Sequence, residues 1–138
     1  MSHSSDIKVQ FISDEVVADD NFIVTTARPN TAATLANTAF ASGGARILSV
    51  TTAGTSDNGK TNTIVGTDVF DNAITEVITS TGSATNVDGA KYFKTVTSVT
   101  SSAQFAGNII VGSLAQAAQA VFGGPTRLKG FSIVSGGT

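Results

Sequence analysis

The feature that most constrains this chain is the stretch from Lys60 to Ser113, KTNTIVGTDVFDNAITEVITSTGSATNVDGAKYFKTVTSVTSSAQFAGNIIVGS. It reads as four short Thr- and Val-rich strands separated by turns of Asp, Asn, Gly and Ser. β-Branched residues pack well on a pleated surface, while Asp, Asn and Gly satisfy the backbone demands of tight turns. Parallel α/β architecture needs a crossover helix between strands, and none fits in these connections. The expected fold is all-β, an antiparallel β-sandwich, either Ig-like or jelly-roll-like, with extended terminal arms.

At 138 residues the chain is expected to be one domain, or one domain with a tail. It is long enough to bury roughly two-thirds of its unfolded surface without staples. Cysteine is absent, so no disulfide, thiolate metal site or cysteine nucleophile can form. Charged residues make up 13% and the net charge is -2, with Lys and Arg scattered singly, which argues against nucleic acid as a partner. No apolar run approaches the roughly 20 residues that span a bilayer. The N-terminus, MSHSSDIKVQF, has neither a basic nor an apolar leader region, so a soluble protein without a signal peptide is expected. So few charges suit a surface covered by neighbours in an assembly, and suit equally a Thr-rich sandwich that is merely weakly charged.

In chain order, residues 1–14 read as an N-terminal arm with a first strand, in which Ile7, Val9 and Phe11 alternate with polar residues. Residues 15–113 read as the sandwich domain, and 114–138 as a C-terminal extension. Within the domain, Val16 to Ala18 is expected to resume the first strand briefly. Asp19-Asp20-Asn21 reads as a turn, and Asn21–Thr26 as a strand ended by Pro29. Thr31–Ser42 reads as irregular and extended, with a short strand over Leu35–Ala41. Ala45–Thr52 is a strand, followed by the loop Ala53–Gly59 with its Asp57-Asn58-Gly59 turn. Lys60–Thr67 and Ala73–Thr79 form a hairpin joined by Asp68–Asn72, and Lys91–Thr100 reads as one continuous strand. Asn108–Val111 closes the series. Leu114–Val121, rich in Ala and Gln after a Ser113 cap, reads as a short helix, and Arg127–Val134 as a final strand.

Few residues offer chemistry. His3 is the single histidine and sits in the arm, where nothing holds it within reach of a substrate proton. The ten acids, Asp6, Asp14, Glu15, Asp19, Asp20, Asp57, Asp68, Asp71, Glu76 and Asp88, fall mostly in turns, where Asp serves backbone hydrogen bonding. Asp19-Asp20-Asn21 lacks the spaced oxygens that Ca²⁺ takes, and Asp68 with Asp71 offers at most a weak cation site. Gly43-Gly44, Gly123-Gly124 and Gly136-Gly137 lack the Lys-Ser/Thr that follows a phosphate loop. With no Trp and only Tyr92, a sugar-stacking face has little to build on. Phe70, Phe105, Phe122 and Phe131 remain as interface anchors, and Phe70 and Phe105, both in loops, either plug the sandwich or meet a partner. No catalytic, cofactor-binding or metal-ligating residue is assigned, and the expectation is a non-enzyme without cofactors.

Ile47–Gly54, Asp57–Gly59, Ile64–Asp68, Asp71–Thr79, Lys91–Thr100 and Ala106–Gly112 form an ordered series of blocks. The series resembles small β-rich structural proteins of tailed bacteriophages. There a T-I-T-S-A-G strand leads through a DNG loop to ITGTD, then to N-A-I-T-E-T-I-T, K-Y/F-F-K-T-V-T-S-V-T and A-G-N-I-x-V-G. The likeness covers roughly residues 45–113, with the Lys91–Thr100 block the most distinctive. It implies a virion component, first of all a capsid decoration (cement) protein that binds the major capsid protein, assembled in the host cytoplasm. The alternatives are a head–tail, neck or tail (fibre or adaptor) component and, from outside that group, a carbohydrate-binding module. Self-association, most often as a homotrimer, is implied with it. Met1–Asp14 and Ser113–Thr138 are the segments expected to reach neighbours.

Overall fold

The computed structural model describes residues 17–40, 44–82 and 84–118. Among the described residues there are seven strands: β1 (Asp19–Ala27), β2 (Ala45–Thr52), β3 (Thr61–Thr67), β4 (Ala73–Thr79), β5 (Asn86–Phe93), β6 (Thr95–Ser101) and β7 (Ile109–Ala118). All pairings are antiparallel. One sheet has the order β1-β7-β2-β5 and the other β4-β3-β6, and they enclose a common core. The all-β sandwich expected from the strand spacing is what the chain builds.

The β6 edge of the smaller sheet is occupied by residues 31–40, which run antiparallel to β6 through the bridges Ala32–Thr100 and Ala39–Thr95. Backbone bonds from Ser101 to Thr31, Ala33 to Val99 and Val96 to Thr38 complete the pairing. Midway the segment turns to the other sheet, where Ala36 N–H donates to Ile23 and Asn37 Nδ2 to Phe22. Counted as a strand, it makes eight segments that pair first with last, second with seventh, third with sixth and fourth with fifth. This nesting is that of a jelly roll. In an Ig-type sandwich the last strand lies beside the sixth, whereas here β7 inserts between β1 and β2. Of the short strand expected over Leu35–Ala41, the described residues 35–40 hold a single bridge, Ala39–Thr95, because the segment divides its hydrogen bonds between both sheets.

The core joins Ile23, Val24, Leu48, Val50, Ile109 and Val111 of the larger sheet to Ile64, Ile78, Val96 and Val99 of the smaller. Phe93 and Phe105 are the largest side chains within it, each fully buried. Burying each such ring contributes roughly 2–3 kcal/mol.

Three expectations need correction. Asp19-Asp20-Asn21 is no separate turn: it opens β1, where the register slips between Asp19–Ser113 and Val24–Val111, while Val17 and Ala18 lie outside any strand. Lys91–Thr100 is two strands, so Lys60–Ser113 holds five strand segments rather than four. The chain leaves the larger sheet at Phe93, crosses at Lys94 and enters the smaller sheet at Thr95, and Lys94 N–H is taken by Thr67. Within β6 the register then slips between the Ser98–Val65 and Val96–Gly66 pairs, leaving Thr97 as the extra residue. That bulge puts Val96 and Val99 on the same inner face, which strict alternation would have separated. Finally, Leu114–Ala118 continues β7, with Ala117 opposite Arg46 and Ala118 opposite Ala45. Pairing with β2 outweighs the weak helix preference of so short an Ala/Gln run. Ile7–Phe11, Val121 and Arg127–Val134 lie outside the described residues.

Gly66 sits beside the bulge with Thr95 carbonyl against the position a Cβ would occupy, and the Phe93 ring 3.0 Å from it. Gly66→Ala should therefore destabilise the fold by about 1–3 kcal/mol. Chemical denaturation should show a lower midpoint with an unchanged slope; wild-type stability would place the strands further apart than described.

Candidate functional surface

At one end of the sandwich four connections pass between the sheets: residues 28–30, 53–60, 80–85 and 102–108. Their centre is Asp57, in a single 3₁₀ turn (Thr55–Asp57), with its side chain fully buried. Asp57 Oδ1 accepts Ala106 N–H at 2.7 Å and Oδ2 accepts Gly107 N–H at 2.9 Å. Lys60 Nζ lies 2.7 Å from Oδ1, donates also to Gln104 carbonyl and stands 5.4 Å above the Phe105 ring. Gln104 and Arg28 bind the remaining connection through the carbonyls of Arg28, Pro29 and Phe105. Ser80 links the last one, its hydroxyl 2.7 Å from Thr52 and its backbone bonded to Gly59 and Lys60. Phe105 is thus the plug of this end.

Burial pushes the Asp57 carboxyl up, but the Lys60 hydrogen bond, the Ala106 and Gly107 N–H groups and the Lys60 charge outweigh it and hold the carboxyl below its ordinary 3.8. Every oxygen contact of Asp57 is spent on structure. Its chemistry is that of a clamp, not of an acid or base.

The opposite end carries the β3–β4 hairpin tip. Asp68 Oδ1 accepts the N–H of Phe70 and of Asn72, and the Asn72 amide donates to Oδ2. The Asn72 N–H bond is the leading reason that the Asp68 carboxyl lies below its usual range. Asp71 takes a left-handed φ of 66° and pairs with Lys94 at 2.7 and 2.8 Å. Asp71 is exposed and Lys94 half-buried, so solvent screens the pair and it contributes little to stability. Asp68 and Asp71 are therefore turn-building groups, each with its own partner. The result is a fixed loop that exposes Phe70 to 62%. The two loop phenylalanines divide: Phe105 plugs the core, whereas Phe70 faces outward.

Between these ends, the outer face of the smaller sheet is uncharged. β3 presents Thr61, Thr63, Val65 and Thr67 outward. Opposite them β4 places Thr79, Val77, Thr75 and Ala73, with Val77 57% exposed. β6 adds Thr95, Ser98 and Thr100 with the exposed bulge residue Thr97, and Ala32 and Ala39 extend the same side across residues 31–40. No Asp, Glu, Lys or Arg occupies an outward position on these strands.

The other flank is sealed by Glu76. β5 bulges between its Tyr92–Ile47 and Asp88–Ser49 pairs, and the freed N–H groups of Ala90 and Lys91 donate to the Glu76 carboxylate. Lys91 Nζ returns to Thr75 carbonyl at 2.6 Å, so a backbone acceptor on the β4 edge is already taken. Sequence reading missed both Asp57 and Glu76, because an acid in a turn or strand carries no mark of the distant N–H groups it serves.

Among the described residues no group of three or more His, Cys, Asp or Glu side chains comes together. Tyr92 is half-buried on β5, and Asp88 lies exposed on the same strand. His3, Asp6, Asp14, Glu15, Phe122, Phe131, Gly43 and the later glycine pairs lie outside the described residues. Comparison with protein-family models, with curated proteins and with solved structures finds no match.

Asp57→Asn should cost about 2–3 kcal/mol, since it removes the charge from buried hydrogen bonds. The folded carboxyl titrates below the unfolded one, so the stability it supplies is complete above 3.8 and fades as pH falls through the lower folded value. Denaturation midpoints measured from neutral pH down to below pH 3 should converge for wild type and Asp57→Asn. A constant gap across that range would remove the clamp from the account. By contrast Phe70→Ser, at an exposed site, should change stability by no more than about 0.5 kcal/mol.

Proposed function

We propose that this chain is a non-enzymatic structural protein of a tailed bacteriophage particle, acting as a capsid decoration (cement) protein that binds the major capsid protein. The observation that carries the reading is where the phage-like blocks fall. Ile47–Gly54 spans β2 and the start of the Asp57 crossover, Lys91–Thr100 spans the switch between sheets, and Ala106–Gly112 supplies the N–H groups that Asp57 holds. The residues behind the resemblance are those that build the frame. The jelly roll is shared by viral shell proteins, lectins and cupins, so the fold alone does not choose among them.

The arrangement of the chain ends supports the same reading. Arg46 donates to Val17 carbonyl and pairs in the sheet with Ala117. Residues 1–16 and 119–138 therefore attach at the same end of the larger sheet. Attachment points on one side of the domain suit contacts with neighbouring subunits, and repeated weak contacts on a lattice add up through avidity. Ser113–Ala118 belongs to β7, so the C-terminal reaching segment starts later than the sequence implied.

Particles purified from the host that makes this chain should contain it at a copy number comparable with the shell subunit, and purified protein should rebind expanded empty shells. Recovery at about six or twelve copies, the numbers of a closed ring, would instead assign it to the neck or tail. Glycan binding without particle association would favour the carbohydrate-binding alternative.

A further inference from the structure

We propose that Asn58–Gly59 is a latent modification site, an Asn-Gly pair held unreactive by the closed Asp57 clamp and deamidated when that clamp opens. Of the asparagines in the chain, Asn58 alone precedes glycine. Gly59 has no side chain to shield its nitrogen, and both residues are exposed. The reaction needs only water. The Gly59 nitrogen gives up its proton to solvent and bonds to Asn58 Cγ. The Cγ–Nδ2 bond breaks, and ammonia leaves with a proton taken back from solvent. Water then opens the cyclic imide at either carbonyl, leaving aspartate or isoaspartate in place of Asn58.

The closed clamp opposes ring formation in several ways. Residues 57–60 form a type II turn, with Lys60 N–H donating to Asp57 carbonyl at 3.2 Å and Gly59 at φ 82°. Ring closure needs the Gly59 nitrogen eclipsed with Asn58 Cβ, which an L residue reaches only at negative ψ. Asn58 has φ -59° and ψ 131°, which turns that nitrogen out of the ring plane. The proton it must lose is engaged as well, since Gly59 N–H donates to Ser80 carbonyl at 2.9 Å. Gly82 packs over the turn so closely that a Cβ there would lie 2.5 Å from Asn58 N. Rotating ψ of Asn58 would also carry Lys60 away from the Asp57 carboxylate, which it meets at 2.7 Å. The turn must therefore leave both Asp57 and the 80–85 connection before the ring can form. Modification then works against reclosure. Either product adds a negative charge beside the Asp57–Lys60 pair, and isoaspartate lengthens the backbone between them.

The full-length protein is incubated in mildly alkaline buffer with and without urea, and deamidation is followed by peptide mass spectrometry. In urea Asn58 should convert at least about tenfold faster than in the native protein. It should also outpace the exposed Asn21 and Asn86, which precede Phe22 and Val87. Native slowing should match the slowing of hydrogen exchange at Gly59 N–H, because both wait on the same opening. That comparison uses wild type alone, so it stands even where a variant fails to fold. Lys60→Ala removes the cation of the clamp and should speed native conversion at least about tenfold. Gly66→Ala weakens the fold away from this turn and should convert as wild type does. Equal rates with and without urea would overturn the proposal, as would a folded Lys60→Ala variant that converts no faster than wild type. So would native conversion slowed as much as exchange at Ile64 N–H in the core, or Gly66→Ala accelerating like Lys60→Ala. Either would mean that the reaction waits on global unfolding rather than on the clamp.

Discussion

One end of the sandwich is organised around a buried carboxylate, Asp57. Four separate connections switch sheets at one end of the sandwich, and a jelly roll cannot close there unless they are held at fixed distances. Asp57 ties two of them together by accepting two backbone N–H groups from the last connection while pairing with Lys60 of its own, and Arg28, Gln104 and Ser80 fasten the other two to that pair. A neutral side chain would leave those buried donors with weaker partners, and an unpaired charge would be costly to bury. Lys60 resolves both constraints and covers the Phe105 ring that fills the space beneath. The crossing is close enough that a side chain on either Gly54 or Gly107 would collide with the other connection.

The two long flanks of the sandwich are closed by different means with the same physical purpose. On one, the backbone of residues 31–40 divides its hydrogen bonds between β6 and β1. On the other, Glu76 and Lys91 reach between β4 and β5 and satisfy the groups that a bulge set free. Open strand edges invite uncontrolled pairing, and both devices suppress it.

Much of the fold was legible in the residues. The β3–β4 hairpin has the bounds that its Thr/Val strands and Asp68–Asn72 connection imply, because strands and turn are local and agree with one another. Legibility failed where a non-local partner decided. Leu114–Ala118 has helical composition, yet the backbone of Ala45 and Arg46 lies beside it and draws it into the sheet. The break at Lys94 has no Gly or Pro to announce it. The site was less legible than the fold: Phe70 and Phe105 look alike in sequence, and only packing makes one a plug and the other an exposed tip.

What the sequence determined by itself was the class: short β-branched segments without room for crossover helices can only stack as antiparallel sheets. It also determined a surface of few charges, since composition sets how many ions there are to place. Tertiary structure alone decided which sandwich forms, because β7 must insert between β1 and β2 and that choice rests on contacts far apart in the chain. It alone turned Asp57 and Glu76 from turn and strand acids into clamps, since a carboxylate's role is fixed by the donors that meet it. The same holds for the outer residues of the smaller sheet: alternation put those of β3 and β4 on one side, the bulge at Thr97 brought those of β6 to it, and the pairing of the strands made that side a continuous uncharged face.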